Sequence, residues 1–197
     1  MHTKKLFTFI FLSIFSVASI ASNSDISKDN ELGSTLASSL QKLGEGQMNI
    51  LFWKVYKAEF YSANSPYNEK TYPKALKLTY QRDIEKQEFI DATQGEWVKL
   101  NANFSERLIP QVQEDKWLTQ LSDIFPDIKE DDVILFTLSK EKQANFYLKA
   151  ASNSEGKSLD YQLLGSINEP TFGDYFLSIW LSEKTSEPKL RKKLIGQ

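Results

Sequence analysis

The chain has no cysteine, and its only histidine is His2. Beyond that position there is neither an imidazole nor a thiol. This excludes histidine-based nucleophilic triads, thiolate nucleophiles and nearly every zinc site. A disulfide framework is excluded too, so the fold must rest on its core alone. Any chemistry falls to Tyr, Ser, Thr, Lys, Arg or carboxylates. A charge excess is also missing. The 24 Lys and Arg face 26 Asp and Glu, for a formal charge of −2, with the signs interspersed. Without a basic stripe, nucleic acid is not an expected partner, and nothing draws the chain to anionic lipid.

Long apolar runs are scarce as well; the one that stands out is at the start. Lys4 and Lys5 precede the apolar residues 6–15, and the small residues Ser19 and Ala21 follow. A positive region, a short apolar region and a small-x-small site predict a signal peptide over residues 1–21, cleaved after Ala21. The run is too short to span a bilayer comfortably. No cysteine follows it, which excludes a lipid-anchored precursor. The expected product starts at Ser22, carries −4 once Lys4 and Lys5 are gone, and is exported to the periplasm as a soluble protein without an integral membrane segment. Its length suits one domain with its own core.

Residues 50–61, ILFWKVYKAEFY, are the densest aromatic and β-branched stretch of that product. They read as one long strand, covered on both faces early and wet on one face later. Lys54 and Tyr56 share a face with Phe52 and Phe60. Polar tips on an apolar face are either snorkelling core residues or the lining of a ligand cavity.

Upstream, residues 22–30 are a polar leader. Leu32, Leu36, Leu40 and Leu43 fit one stripe of a short helix stopped by Gly44 and Gly46. The expected organisation is a leader with a short helix over 22–43 and a domain over 44–197. Downstream, residues 74–82 alternate cleanly, with Leu76, Leu78 and Tyr80 facing one way. Arg82 falls in register with that apolar side. It is either an anion receptor, since its fork matches a carboxylate, or an edge residue that turns to solvent or pairs with Asp83. Asp83 is placed to cap a helix from Ile84 with the stripe Phe89, Thr93, Trp97 and Leu100. A second helix follows Pro110, with Trp117, Leu121, Ile124 and Phe125 inward. These stripes are core faces rather than a cofactor box, and no cofactor is expected.

The acidic turn 127–132 lacks the glycine and terminal glutamate of a calcium loop, so no metal is expected there. Strands are predicted over 133–138, 144–149 and 159–167, with a loop around 153–156. Two more helices follow, one with Phe172, Phe176, Ile179 and Trp180 inward, one starting at Pro188 with Leu190 and Leu194 inward. The pattern is α+β, an antiparallel sheet with helices segregated to one face.

Three passages carry a family resemblance. FWKVYKAEFY at 52–61 resembles the core strand of the chalcone isomerase superfamily, especially an exported bacterial branch whose activity is not assigned. VILFTLS at 133–139 resembles the strand before that family's hairpin. LGSI at 164–167, with Ile179-Trp180-Leu181, Thr185-Ser186-Glu187-Pro188 and Leu190-Arg191, resembles its C-terminal helices. The resemblance implies an open-faced β-sandwich, a long antiparallel sheet packed on a helical layer with a ligand cleft between. It also implies either flavonoid ring closure or the binding of fatty acids through an Arg and a Tyr. The family's catalytic set does not carry over. Residues 44–49 lack its Arg, Tyr56 stands at its Thr, and Phe89 at its Tyr. Glu96 falls near its Asn and Ser178 near its last Thr. A ring closure needs an oriented nucleophile and oxyanion donors, so chalcone cyclisation is not expected.

Three functions remain open. One is non-catalytic binding of a fatty acid or other amphipathic carboxylate, with Lys54, Tyr56, Tyr80, Arg82, Phe89 and Ser178 at the site. Another is an interaction protein whose cleft is filled by its tryptophans. The third is an intramolecular lyase or isomerase with its own acid–base set, such as Tyr56 beside Arg82.

Overall fold

A computed structural model describes residue 35, residues 39–151 and residues 160–197 of the chain. The predicted signal peptide, the leader over 22–30 and the loop around 153–156 lie outside the described residues. Six strands form one antiparallel sheet in sequential order: β1 (Gln41–Ile50), β2 (Trp53–Ser62), β3 (Lys74–Tyr80), β4 (Val133–Leu138), β5 (Ala144–Lys149) and β6 (Gln162–Ile167). Helices α1 (Lys86–Ala102) and α2 (Gln111–Ile124) sit between β3 and β4 in sequence. Helices α3 (Phe172–Leu181) and α4 (Pro188–Leu194) follow β6. The fold is the expected α+β open-faced sandwich.

Alternation decides which sheet face meets the helices. Phe60, Leu76, Leu78, Tyr80, Ile134, Phe136 and Phe146 are buried in one core with Trp97, Trp117, Leu121, Phe172, Phe176 and Trp180. Aromatic rings dominate it; Phe146 meets Phe125, Phe136, Phe172 and Phe176 with ring centres 5.1–6.1 Å apart, within the favourable range for ring pairs. The reverse face carries the smaller cluster Ala75, Leu135 and Tyr147, with Leu40 and Tyr161 against it. Beside that cluster Glu59 is held between Lys42 and Lys77, each 2.6 Å away.

The sequence reading needs correction at the N-terminal edge. Thr35 and Ser39 are helical, but a strand starts at Gln41, ahead of the expected boundary at 44. Gly44 and Gly46 do not end a helix. They lie within β1, where α4 comes so close that a Cβ at Gly44 would stand 1.9 Å from the Lys193 carbonyl oxygen. Residues 50–61 are not one strand. The chain reverses at Leu51 and Phe52, so Ile50 closes β1 and Trp53 opens β2. Leu51 takes φ 54°, a left-handed value unusual for a branched side chain. The expected double cover is absent at this tip. Ile50, Leu51, Phe52 and Trp53 are 52, 86, 98 and 71% exposed.

The acidic turn is occupied by backbone groups. Asp127 accepts the Lys86 N–H at the start of α1, while Asp132 accepts the N–H groups of Lys129 and Ala151. The expected cap, Asp83, instead accepts from the Glu130 N–H and from Lys129. A cap drawn from 41 residues away serves the same orphan donors as a local one.

Candidate functional site

Where β2 and β3 run out beneath α1 and α3, the core does not close completely. A cavity of about 130 Å³ remains, lined by Met48, Ile50, Val55, Tyr56, Leu78, Tyr80, Arg82, Ile84, Glu88, Phe89, Ala92, Thr93, Glu96, Ile179 and Trp180. Four of the six residues expected at a site, Tyr56, Tyr80, Arg82 and Phe89, meet here.

Register explains the first two. Tyr56 and Tyr80 are direct cross-strand partners on the helix-facing side, and their rings meet edge to face with centres 5.7 Å apart. The Tyr56 hydroxyl accepts a hydrogen bond from Trp180 Nε1 at 2.9 Å. Its own proton stays free to be donated. Burial raises both phenols above the ordinary tyrosine value. They are neutral donors at physiological pH and poor bases.

Arg82 lies just past β3 and Glu88 in the first turn of α1. The guanidinium forks onto the Glu88 carboxylate, with Nη1 3.2 Å from Oε2 and Nη2 against Oε1. Nη1 also donates to the Asp83 carbonyl at 3.1 Å. Arg82 borders the cavity, and its acidic partner there is Glu88 rather than Asp83. The other polar groups of the lining are tied down. The Thr93 hydroxyl donates to the Phe89 carbonyl at 2.9 Å, and Glu96 is held by Lys99 and the Ser186 hydroxyl.

Lys54 and Ser178 are not brought to this cavity. Met48 pairs with Tyr56 and Asn49 with Lys54, so Val55 is an extra residue on β2. Such a bulge breaks strict alternation. Val55 and Tyr56 both line the cavity, while Lys54 is exposed. Ser178 turns to another side of α3. It borders a separate polar cavity of about 330 Å³ with Tyr67, Tyr72, Lys74 and Asp174, and its hydroxyl donates to the Tyr175 carbonyl at 2.5 Å. In that cavity Asp174 gathers Tyr72, Lys74 and Lys142 within 2.7, 3.2 and 2.6 Å.

Sequence reading missed Met48, Ile84, Glu88 and Ile179 at the site. Met48 stands in the stretch that the resemblance searched for an Arg. The available signal for Glu88 was its place in the first turn of the predicted helix, where an acid falls near Arg82 just past the preceding strand. The tryptophans do not fill the cleft. Trp97 and Trp117 are buried in the core, Trp53 is at the exposed hairpin tip, and Trp180 forms a wall. Among the described residues no group of His, Cys, Asp or Glu is arranged to hold a metal ion.

Sheet order, helical layer and cavity together define the fold class seen in the family comparison. The chain belongs to the chalcone isomerase-like family, whose sequence profile matches residues 26–196. No curated protein matches it. Among solved structures, a fatty-acid binding protein of Arabidopsis thaliana superposes with a TM-score of 0.57 at 14% identity, over 80% of this chain and 87% of that one. At that identity the likeness is one of fold.

Proposed function

We propose that the protein binds an amphipathic carboxylic acid, a fatty acid or a compound of that class, in the cavity between sheet and helices, and catalyses no reaction on it. The observation that carries this reading is Arg82 at the border of a lining that is otherwise mostly apolar. A carboxylate on that fork would gain a charge-assisted contact of about 1.5–3 kcal/mol. Each buried CH₂ would add about 0.8 kcal/mol before ordering costs. The Tyr56 O–H is a second donor of the right kind. The fold is shared with a protein described as fatty-acid binding.

Size limits the ligand. A cavity of about 130 Å³ is close to the ~150 Å³ of an apolar cavity that takes up benzene and below the ~300–1,000 Å³ of common ligand pockets. It suits a ring or about six carbons as it stands. A longer chain would need Met48 and Ile50 to give way, and an unbranched thioether does so readily. Absence of catalysis is supported by the missing family residues and by the raised phenols, which disfavour Tyr56 as a base.

The basic and apolar start of the sequence supports an exported, periplasmic protein. Among the described residues no helix is long and apolar enough to cross a membrane. Lipid extraction of protein purified from its own compartment, with titration by acids from hexanoate to palmitate, tests the proposal. No co-purified acid and no binding across the series would end it.

The exposed hairpin tip favours a second reading, an interaction protein that presents residues 50–53 to a partner. Exposed apolar clusters of this kind commonly mark contact surfaces. Binding that survives closure of the cavity by Ala92→Phe but is lost with Phe52→Ser would support it.

A further inference from the structure

Arg82, Ile84 and Glu88 border two spaces at once. One is the inner apolar cavity. The other is an outer cleft of about 540 Å³, lined also by Asp83, Glu85, Lys86, Gln87, Asp127 and Lys129. The forked Arg82–Glu88 contact therefore stands where the two spaces adjoin.

We infer that this ion pair is the gate of the site and that Glu88 is its resident carboxylate, displaced from Arg82 by the carboxylate of the ligand. The inference rests on the binding reading given above. Of the five N–H donors of the guanidinium, Glu88 takes one from each Nη, the flat pair that matches a carboxylate. While Glu88 holds that pair, an incoming acid finds this fork of Arg82 occupied. Exchange replaces one carboxylate with another on the same two donors and opens the contact between cleft and cavity. Arg82 does not leave with Glu88, because its Nη1 is also held by the Asp83 carbonyl. Of the other charges of the cleft, Lys129 is paired with Asp83 at 3.0 Å, and Asp127 accepts the Lys86 backbone N–H. An alcohol of the same length has no carboxylate to exchange and binds without displacing Glu88. Glu88 thereby competes with every acid for Arg82, lowers its affinity by the strength of its own contact and leaves neutral amphiphiles unaffected.

Calorimetric titration of the intact protein and of Glu88→Gln with hexanoate and with 1-hexanol tests this. Hexanoate should bind about two- to fivefold tighter to Glu88→Gln, the scale of a partly exposed ion pair, with hexanol unchanged. Glu88→Ala, which leaves no amide to replace the carboxylate, should give the same gain. If both variants bind hexanoate no tighter than the natural protein, while that protein prefers hexanoate to hexanol, the gate is wrong and the binding reading stands. If no form binds hexanoate, both fall. Side-chain exposure of 35% at Arg82 and 44% at Glu88 makes misfolding of these variants an unsuitable explanation for either result.

Discussion

Trp180 on α3 donates its indole N–H to the hydroxyl of Tyr56 on β2 over 2.9 Å. The bond ties the helical layer to the sheet at the wall of the cavity both residues line. Tyr56→Phe keeps the ring and removes the acceptor. Leaving a buried N–H without a partner costs about 1–3 kcal/mol. Denaturant melts should show that loss. An unchanged midpoint would mean the contact contributes nothing to holding the wall.

Gly44 and Gly95 should respond to alanine with opposite signs. A methyl at Gly44 would collide with the carbonyl oxygens of Lys193 at 1.9 Å and Leu194 at 3.0 Å, both backbone atoms of α4. Overpacking of this kind costs about 1–3 kcal/mol. Gly95, inside α1, has nothing within 4 Å of such a methyl. There alanine should add about 0.5–1 kcal/mol. Thermal melts of both variants, with hydrogen exchange of the α4 amides in Gly44→Ala, check the pair.

Stability should fall at both pH extremes for separate reasons. Burial alone would push the Asp174 carboxyl up, but Lys142, Tyr72 and Lys74 hold it below the ordinary 3.8. Its contribution is intact above that value and lost as pH falls through the lower folded value. Burial raises the phenols of Tyr56, Tyr80 and Tyr175, the last aided by Glu114. The unfolded chain sheds those protons near 10.0, so their contribution is full below that pH and lost as it rises further. Melting temperature against pH should drop on both sides, and Asp174→Asn should weaken the acid limb. Phenolate absorbance from all the tyrosines near 10.0 in a still folded protein would contradict the alkaline half.

The hairpin tip should tolerate polar substitution. Phe52 is 98% exposed, and exposed sites away from packing usually change stability by less than about 0.5 kcal/mol. Phe52→Ser should leave the melt within that range and reduce self-association at high concentration, read by light scattering.

The strands whose pattern alternates, such as β3, and the helices with wide apolar stripes were legible because each signal is local. So was the placing of Tyr56 and Tyr80 on one lining, once the two strands were taken as neighbours; their direct pairing came from the register. What escaped depends on distant or unusual backbone. The reversal at Leu51 has no Gly, Asn or Asp to announce it, although two-residue hairpin turns favour those residues. The bulge at Val55, which separates Lys54 from the Tyr56 face, changes register without changing composition. Asp127 caps α1 from beyond α2. Ser178 misses the cavity that Ile179 and Trp180 line, because successive helical residues point about 100° apart.

The central claim is that Arg82 receives a carboxylate at the border of this cavity. The most direct measurement is the ratio of hexanoate to 1-hexanol affinity in the natural protein and in Arg82→Gln. A charge-assisted contact that remains partly exposed predicts a preference for the acid on the order of tenfold, abolished in Arg82→Gln while hexanol binding is retained. An acid preference that survives Arg82→Gln, or none in the natural protein, would contradict it.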